Sequence, residues 1–429
     1  MPYRKRELSK LVMRSLTNMR AAKTRFLPLS ILVLAAWSAG VRAEDWPQFR
    51  GPGGEGHSTE KNLPLEWGEG RNVAWRTPIP GRGWSSPVIA AGRVWLTTAV
   101  DDSGGVSLRV LAFDVATGEE RVNVEAYLIG GTYLKNAKNS HASPTPIVEG
   151  SRVFVHFGAD GTSAFSAEGE FLWETKLAYE SQHGSGGSPV LYRDLLIVNC
   201  DGDDQAYVVA LDKATGKVRW KTMRRKPYDQ SYSTPLVIRV GDRDQLISVG
   251  AHWTYAYDPL TGKELWRVSY GDGFSNVPRP VFSKGLVFIA TGFDVARILA
   301  VRPTGSGDVT RTHVAYRIER GAPLTPSPIA VGDELYMVSD IGIATCLDTA
   351  TGKILWQHRL GGNFSASPVF ADGRIYFQSE EGVTTVIAPG KEFQQLATNT
   401  LDGMTFASSA VSQGSLFIRT DAFLYRIGK

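Results

Sequence analysis

The chain has 429 residues, 42 % of them hydrophobic and 21 % charged, with a formal net charge of +4. Nine of its 47 Lys and Arg but only one of its 43 acidic residues fall within residues 1–43, so the rest of the chain carries −4. A nucleic-acid binder would show a basic stripe in its folded part, and this excess of acid excludes that class.

Basic residues crowd Met1 to Arg25, Phe26 to Gly40 is apolar, and Val41-Arg42-Ala43 places small side chains ahead of Glu44. This pattern predicts a signal peptide over 1–43, cleaved before Glu44, and a periplasmic or secreted protein. Met19 would begin a leader of more ordinary length. The apolar run is too short for a stable membrane span. An N-terminal arm follows over 44–71, opening Asp45-Trp46-Pro47-Gln48-Phe49-Arg50-Gly51-Pro52.

From Ser86 onward the chain repeats. Ser86-Pro87-Val88 returns as Ser143-Pro144, Ser188-Pro189-Val190, Thr234-Pro235-Leu236, Arg279-Pro280-Val281, Ser327-Pro328-Ile329, Ser367-Pro368-Val369 and Ser408-Ser409-Ala410, at intervals of 40 to 57 residues. A fixed period of this size is the mark of a repeat architecture. Each unit runs from a short apolar stretch through a Gly turn into a strand of β-branched and aromatic residues, such as Arg374-Ile375-Tyr376-Phe377. A third strand ends in Ala210-Leu211-Asp212-Lys213-Ala214-Thr215-Gly216-Lys217-Val218-Arg219-Trp220. That signature recurs from Ala256 to Trp266 and from Cys346 to Trp356. Asp satisfies turn amides, Gly accepts positive φ, and the Trp is large enough to pack between neighbouring sheets.

Four strands per unit and eight units predict an all-β, eight-bladed β-propeller of four-stranded antiparallel blades, folded as one domain over 44–429. The eighth unit stops at Ile427-Gly428-Lys429 without its outer strand. Asn72-Val73-Ala74-Trp75-Arg76-Thr77 matches Lys217 to Thr222, so residues 72–77 are expected to close the last blade and hide two sheet edges. Four units depart from the pattern: Val122 stands where others have Trp, Ala167-Glu168-Gly169-Glu170 shortens a turn, and Val301-Arg302-Pro303-Thr304-Gly305 and Ala388-Pro389-Gly390 replace the Asp turn. Cys200 and Cys346 lie in distant units and are expected to be buried free thiols.

The Ala-x-Asp-x-x-Thr-Gly-x-x-x-Trp repeat resembles that of the pyrroloquinoline-quinone-like propeller superfamily, which includes quinoprotein alcohol dehydrogenases and the propeller lipoprotein of the outer-membrane barrel-assembly machinery. The resemblance covers about Asp45 to Lys429, and the opening segment is similar to that of secreted members. For a dehydrogenase the resemblance implies adjacent cysteines, a Ca²⁺ beside a catalytic Asp and the quinone itself. This chain has no Cys-Cys pair and no Cys-x-x-Cys-His haem site. For the lipoprotein it implies a Cys after the leader, where this chain has Glu44-Asp45-Trp46.

Blade geometry puts the fourth-to-first and second-to-third connections on one face. Trp84, Lys138, Asn139, His141, His183, Tyr232, Asn276 and Phe364 gather there, with turns carrying His252, Trp253, Asp294, Asp340, Glu380 and Glu381. His141 and His183 could serve as base or ligand, or simply bond a neighbouring loop. Tyr232, Trp253 and Phe364 either floor a pocket or cap the channel, and capping is the favoured reading. Asp201, Asp203 and Asp204 form a turn dense enough in oxygen for weak Ca²⁺ binding, though without EF-hand flanks. Gly184-Ser185-Gly186-Gly187-Ser188 precedes no helix and is no phosphate cradle.

The expectation is a monomeric, non-catalytic exported scaffold. It would bind a protein or polymer partner through that face, with no cofactor. The alternative is a quinone-dependent alcohol or sugar dehydrogenase, with pyrroloquinoline quinone and Ca²⁺.

Overall fold

The structure, a computed structural model, describes residues 44–130, 135–293 and 295–428. The expected leader and Asp294 lie outside them. Eight antiparallel sheets follow one another in a ring, each ordered from an inner to an outer strand. Blade 1 is typical: Val88–Ala90, Arg93–Asp102, Gly105–Asp114 and Glu120–Ile129. Helix is confined, among the described residues, to one 3₁₀ turn at Gly158–Asp160, and no helix there is long and apolar enough to cross a membrane.

Closure occurs where the sequence placed it. Strand Val73–Pro78 pairs antiparallel with Phe423–Ile427 and completes blade 8. A second stitch joins the same blades: buried Arg419 donates through Nη1 to Ser85 Oγ (2.7 Å) and Thr97 O (2.9 Å) of blade 1.

The Asp-x-x-Thr-Gly turns explain how blades lock. Asp212 Oδ1 accepts from the amides of Ala214 and Thr215, both at 3.0 Å. Burial alone would raise its carboxyl, but hydrogen bonds from the Thr215 hydroxyl, from Arg219 and from these amides hold it below the usual range. Gly216 has φ +73, and a Cβ there would lie 2.5 Å from the Trp173 ring of the preceding blade. The same Trp donates through Nε1 to Lys213 O at 3.2 Å. Trp75 on Gly118 and Trp220 on Gly262 repeat the joint. Gly is therefore required twice, for its backbone conformation and for the ring seated on it.

Two of the irregular units, blades 1 and 2, are matched neighbours. The shortened turn of blade 2 brings Gly169 against Val122 of blade 1, where an added Cβ would meet Val122 Cγ1 at 2.8 Å. A small knob fits a small socket. In blade 5 the altered turn continues into Gly307–Asp308, which pairs in parallel with the outer strand of blade 4 as a fifth strand, a feature the repeat pattern does not contain. Ala388-Pro389-Gly390 still receives its Trp, with Trp356 Nε1 donating to Gly390 O at 3.0 Å.

One register differs from expectation. In blade 2 the residue pair leading into the inner strand Ile147–Glu149 is Thr145-Pro146, two positions beyond Ser143-Pro144. The sequence Ser-Pro-Thr-Pro offers two frames, and only the second runs directly into the apolar pair Ile147-Val148. Ser143 instead donates to Asn139 Oδ1 at 2.6 Å. Both cysteines are buried and unpaired.

Candidate functional site

The Ser/Thr-Pro steps do more than mark the period. The Ser86 amide donates to Thr145 Oγ1, Thr145 to Ser188 Oγ, and Ser188 to Thr234 Oγ1, each at 2.9 Å. Arg279 donates in the same way to Ser327, Ser327 to Ser367, and Ser367 to Ser408, again at 2.9 Å. A ring of hydroxyls thus surrounds the axis, with Arg279 in the eighth place.

Below this ring the N-terminal arm closes the axis. Arg50 is fully buried and donates to Pro328 O at 2.8 Å and Glu55 O at 2.7 Å. Arg279 donates to Phe49 O at 3.0 Å and Pro235 O at 3.1 Å. Glu55 Oε1 accepts from the Phe282 amide at 3.1 Å. Burial pushes the Arg50 guanidinium down to about 9 and Arg279 down to about 10. Burial also raises the Glu55 carboxyl.

Above the ring lies a cavity of about 620 Å³, floored by Phe49 and the hydroxyls and walled by Trp84, Tyr232, Phe274, Phe293 and Phe406. That volume suits a small ligand or a few side chains. Trp84 packs on Phe406 with ring centroids 4.4 Å apart and donates to Lys138 O at 3.0 Å. Lys138 Nζ lies 2.6 Å from Glu380 Oε1 of blade 7, so an ion pair bridges the mouth. Ser365 Oγ donates to the same oxygen at 2.7 Å. Asp340 lines the cavity and accepts from the Leu324 amide at 2.7 Å. His183 lines it too, its ring centroid 6.3 Å from that of Tyr232.

The remaining candidates stand apart from the cavity lining. His252 Nε2 lies 2.6 Å from Asp229 Oδ2 and its Nδ1 lies 2.9 Å from Gly271 O. Trp253 packs beneath the Arg267 guanidinium at 5.7 Å. Asn276 is buried and donates to Gly250 O and Tyr270 Oη, both at 2.7 Å. Burial lowers the pKa of His141, helped by Lys135. Phe364 belongs to the core between blades 6 and 7.

The expected cation loop meets three separate partners instead. Asp201 points inward, its Oδ1 2.9 Å from Arg224 Nε, close but not aligned as a hydrogen bond. Burial pushes its carboxyl up to about 7 against the pull of Arg224. Asp203 accepts from Gln230 at 2.9 Å and Asp204 from the Glu180 amide at 2.8 Å. No three His, Cys, Asp or Glu among the described residues are grouped to hold a metal ion.

Sequence reasoning used the Ser/Thr-Pro steps only as a repeat marker and so missed the floor. Phe274, Phe293 and Phe406 were also missed. Each belongs to an irregular loop without a repeat position, and Phe49 lies in the arm.

Residues 129–249 and 250–392 match the profile of the family described as outer membrane protein assembly factor BamB. The chain belongs to this family of pyrroloquinoline-quinone-like repeats. Among curated relatives it is 33 % identical over 130 residues to the serine/threonine-protein kinase AfsK of Streptomyces griseus, covering 29 % of this chain and 16 % of that one. It is 30 % identical over 104 residues to BamB of Burkholderia pseudomallei, covering 24 % and 26 %. With BamB of Yersinia pestis it shares 25 % identity over 251 residues, covering 54 % and 60 %. The chain thus spans between 16 % and 60 % of the length of these relatives.

Of solved structures, BamB from Moraxella catarrhalis superposes with a TM-score of 0.58 at 16 % identity, covering 83 % of this chain and 98 % of that one. A europium-containing methanol dehydrogenase gives 0.62 at 11 %, covering 89 % and 90 %. Both share the fold. Lys138, the one Lys or Arg lining the cavity among the described residues, is paired with Glu380.

Proposed function

We propose that the protein is an exported, non-catalytic scaffold that docks a protein partner on the face holding the cavity mouth. The observation that carries this reading is the apolar rim. Phe293 is 57 % exposed, Ile341 59 % and Met404 47 %, on loops around one opening. Phe293 lines the cavity and Ile341 follows the lining residue Asp340, and large apolar side chains exposed on one face are the kind of surface that partners cover. The charged groups nearby are engaged with one another or with backbone amides, which leaves little for acid–base chemistry. Family membership supports the same role, since the family and two of the three relatives are described as outer membrane protein assembly factors.

The test is cross-linking of the full chain in its native envelope, with Phe293→Ser and Ile341→Ser beside the wild type. Recovery of one dominant protein partner, lost in both variants, is expected. Unchanged recovery in the variants would overturn the assignment of the face. Saturable uptake of pyrroloquinoline quinone with Ca²⁺, coupled to alcohol-dependent dye reduction, would replace the scaffold by a dehydrogenase.

A further inference from the structure

The hydroxyl ring at the cavity floor is only half used. Thr145, Ser188, Thr234, Ser327, Ser367 and Ser408 each accept an amide hydrogen. None of their hydroxyl protons is donated to any acceptor among the described residues. All six line the cavity and are at least nine-tenths buried. Polar hydrogens at such a floor are available to whatever occupies the cavity, so the floor is a preformed cluster of donors facing the cavity.

The one carboxylate of the lining among the described residues, Asp340, already accepts from the amides of Leu324 and Thr325, and the positive groups lie below the floor. Beneath the ring sit the guanidiniums of Arg50 and Arg279, with Glu55 as their one carboxylate neighbour. The floor therefore favours an anionic acceptor, and hydrogen bonds to a charged acceptor are the stronger kind. The walls are aromatic and the rim is apolar. A group that satisfies all three levels has a terminal carboxylate, an apolar or aromatic body next to it, and a chain continuing out over the rim.

We infer that the axial cavity receives the C-terminal end of a partner polypeptide, the terminal carboxylate on the hydroxyl ring and an apolar last side chain among Trp84, Tyr232, Phe274 and Phe406. This rests on the reading of the mouth as a docking face and gives it an occupant. Blind closure by Phe49 makes the cavity suited to a chain end rather than to a segment threading through.

The test uses the full chain and a fluorescein-labelled octapeptide of Gly and Ser ending in Val-Phe, as free acid and as C-terminal amide, read by fluorescence anisotropy. The acid should bind at least about tenfold more tightly than the amide. The double variant Ser327→Ala/Ser367→Ala should bring the acid to the affinity of the amide and leave the amide unmoved. If that variant melts below the assay temperature, Thr145→Val/Ser188→Ala on the opposite arc takes its place. Equal affinity for acid and amide would overturn the inference while leaving docking on the rim standing. So would a preference that survives loss of the floor hydroxyls. Binding of 3-phenylpropanoate or pyrroloquinoline quinone as tight as that of the peptide would also overturn it, because the floor would then serve a free small acid. Conversely, retained acid preference in Phe293→Ser with no envelope partner would remove the scaffold reading and keep the carboxylate site.

Discussion

The two ends of the axis are built on opposite principles. At the closed end, Arg50 and Arg279 are buried and spend their donors on backbone carbonyls of the arm and of blades 4 and 6. At the open end the side chains of Phe293, Ile341 and Met404 are largely exposed, and Phe293 meets the neighbouring Phe274 ring, 5.7 Å away between centroids. Residues that tie separate blades to the arm carry the fold, and exposed residues are free to serve a contact. The difference predicts that mutations at the closed end act on stability and those at the mouth on binding.

The largest effect should come from removing residues 44–78. Blade 8 would lose its outer strand and the axis its plug, exposing an edge and a row of carbonyls. Loss of a single cooperative melting transition by calorimetry is the expected result. A cooperative transition at the wild-type temperature would show that the arm is an ornament.

Arg50→Met should come next. It leaves Pro328 O and Glu55 O buried without their donor, at about 1–3 kcal/mol each, offset in part because a cation that burial disfavours is gone. A net loss of about 2–3 kcal/mol in denaturant unfolding is expected.

Between the two ends, His156 gives the comparison a pH axis. It is buried, its Nδ1 2.8 Å from Thr162 Oγ1, and burial lowers its pKa to about 4. The unfolded chain takes up this proton near pH 6.5 and the folded one only near pH 4, so this contribution to stability is complete above 6.5 and declines as pH falls through that window. The melting temperature of the wild type should therefore fall more steeply from pH 6.5 to 4 than that of His156→Gln. Parallel slopes would mean that another group governs acid stability.

The smallest effect on stability belongs to the mouth. Ile341→Ser and Met404→Ser should change unfolding free energy by no more than about 0.5 kcal/mol, as measured by urea titration. A loss comparable to that of Arg50→Met would erase the distinction between the ends.

The ring was legible in the sequence because each blade carries both halves of its joints in one short motif. An Asp that caps its own turn, a Gly at positive φ and a Trp at fixed spacing carry their chemistry within eleven residues, so a repeat announces them. Closure by Val73–Pro78 was equally visible, since the missing strand had a near copy at the other end. The pocket was not. Phe49 reaches the axis from an arm without repeats, and Phe274, Phe293 and Phe406 lie in loops whose paths depend on contacts far away in the chain. Lys138 and Glu380 were each marked from turn positions, but their pairing across blades 2 and 7 is a property of the closed ring. Asp201 was marked only as part of an oxygen-rich turn, because spacing alone does not show that Arg224 waits behind it.

The Val122–Gly169 joint has a consequence for how such a ring could have grown. Where a blade's outer strand seats a side chain on the turn glycine of its successor, as Trp75, Val122, Trp173 and Trp220 do, a duplicated unit is tolerated only where both shapes agree. Blade 3 takes a Trp in its socket and offers Trp220 onward, which makes it a module that could be copied in tandem. Blade 2 accepts only the small Val122 knob yet hands on Trp173. It works as an adaptor, and its place in the order is thereby fixed: a ring with its blades shuffled must keep blades 1 and 2 together.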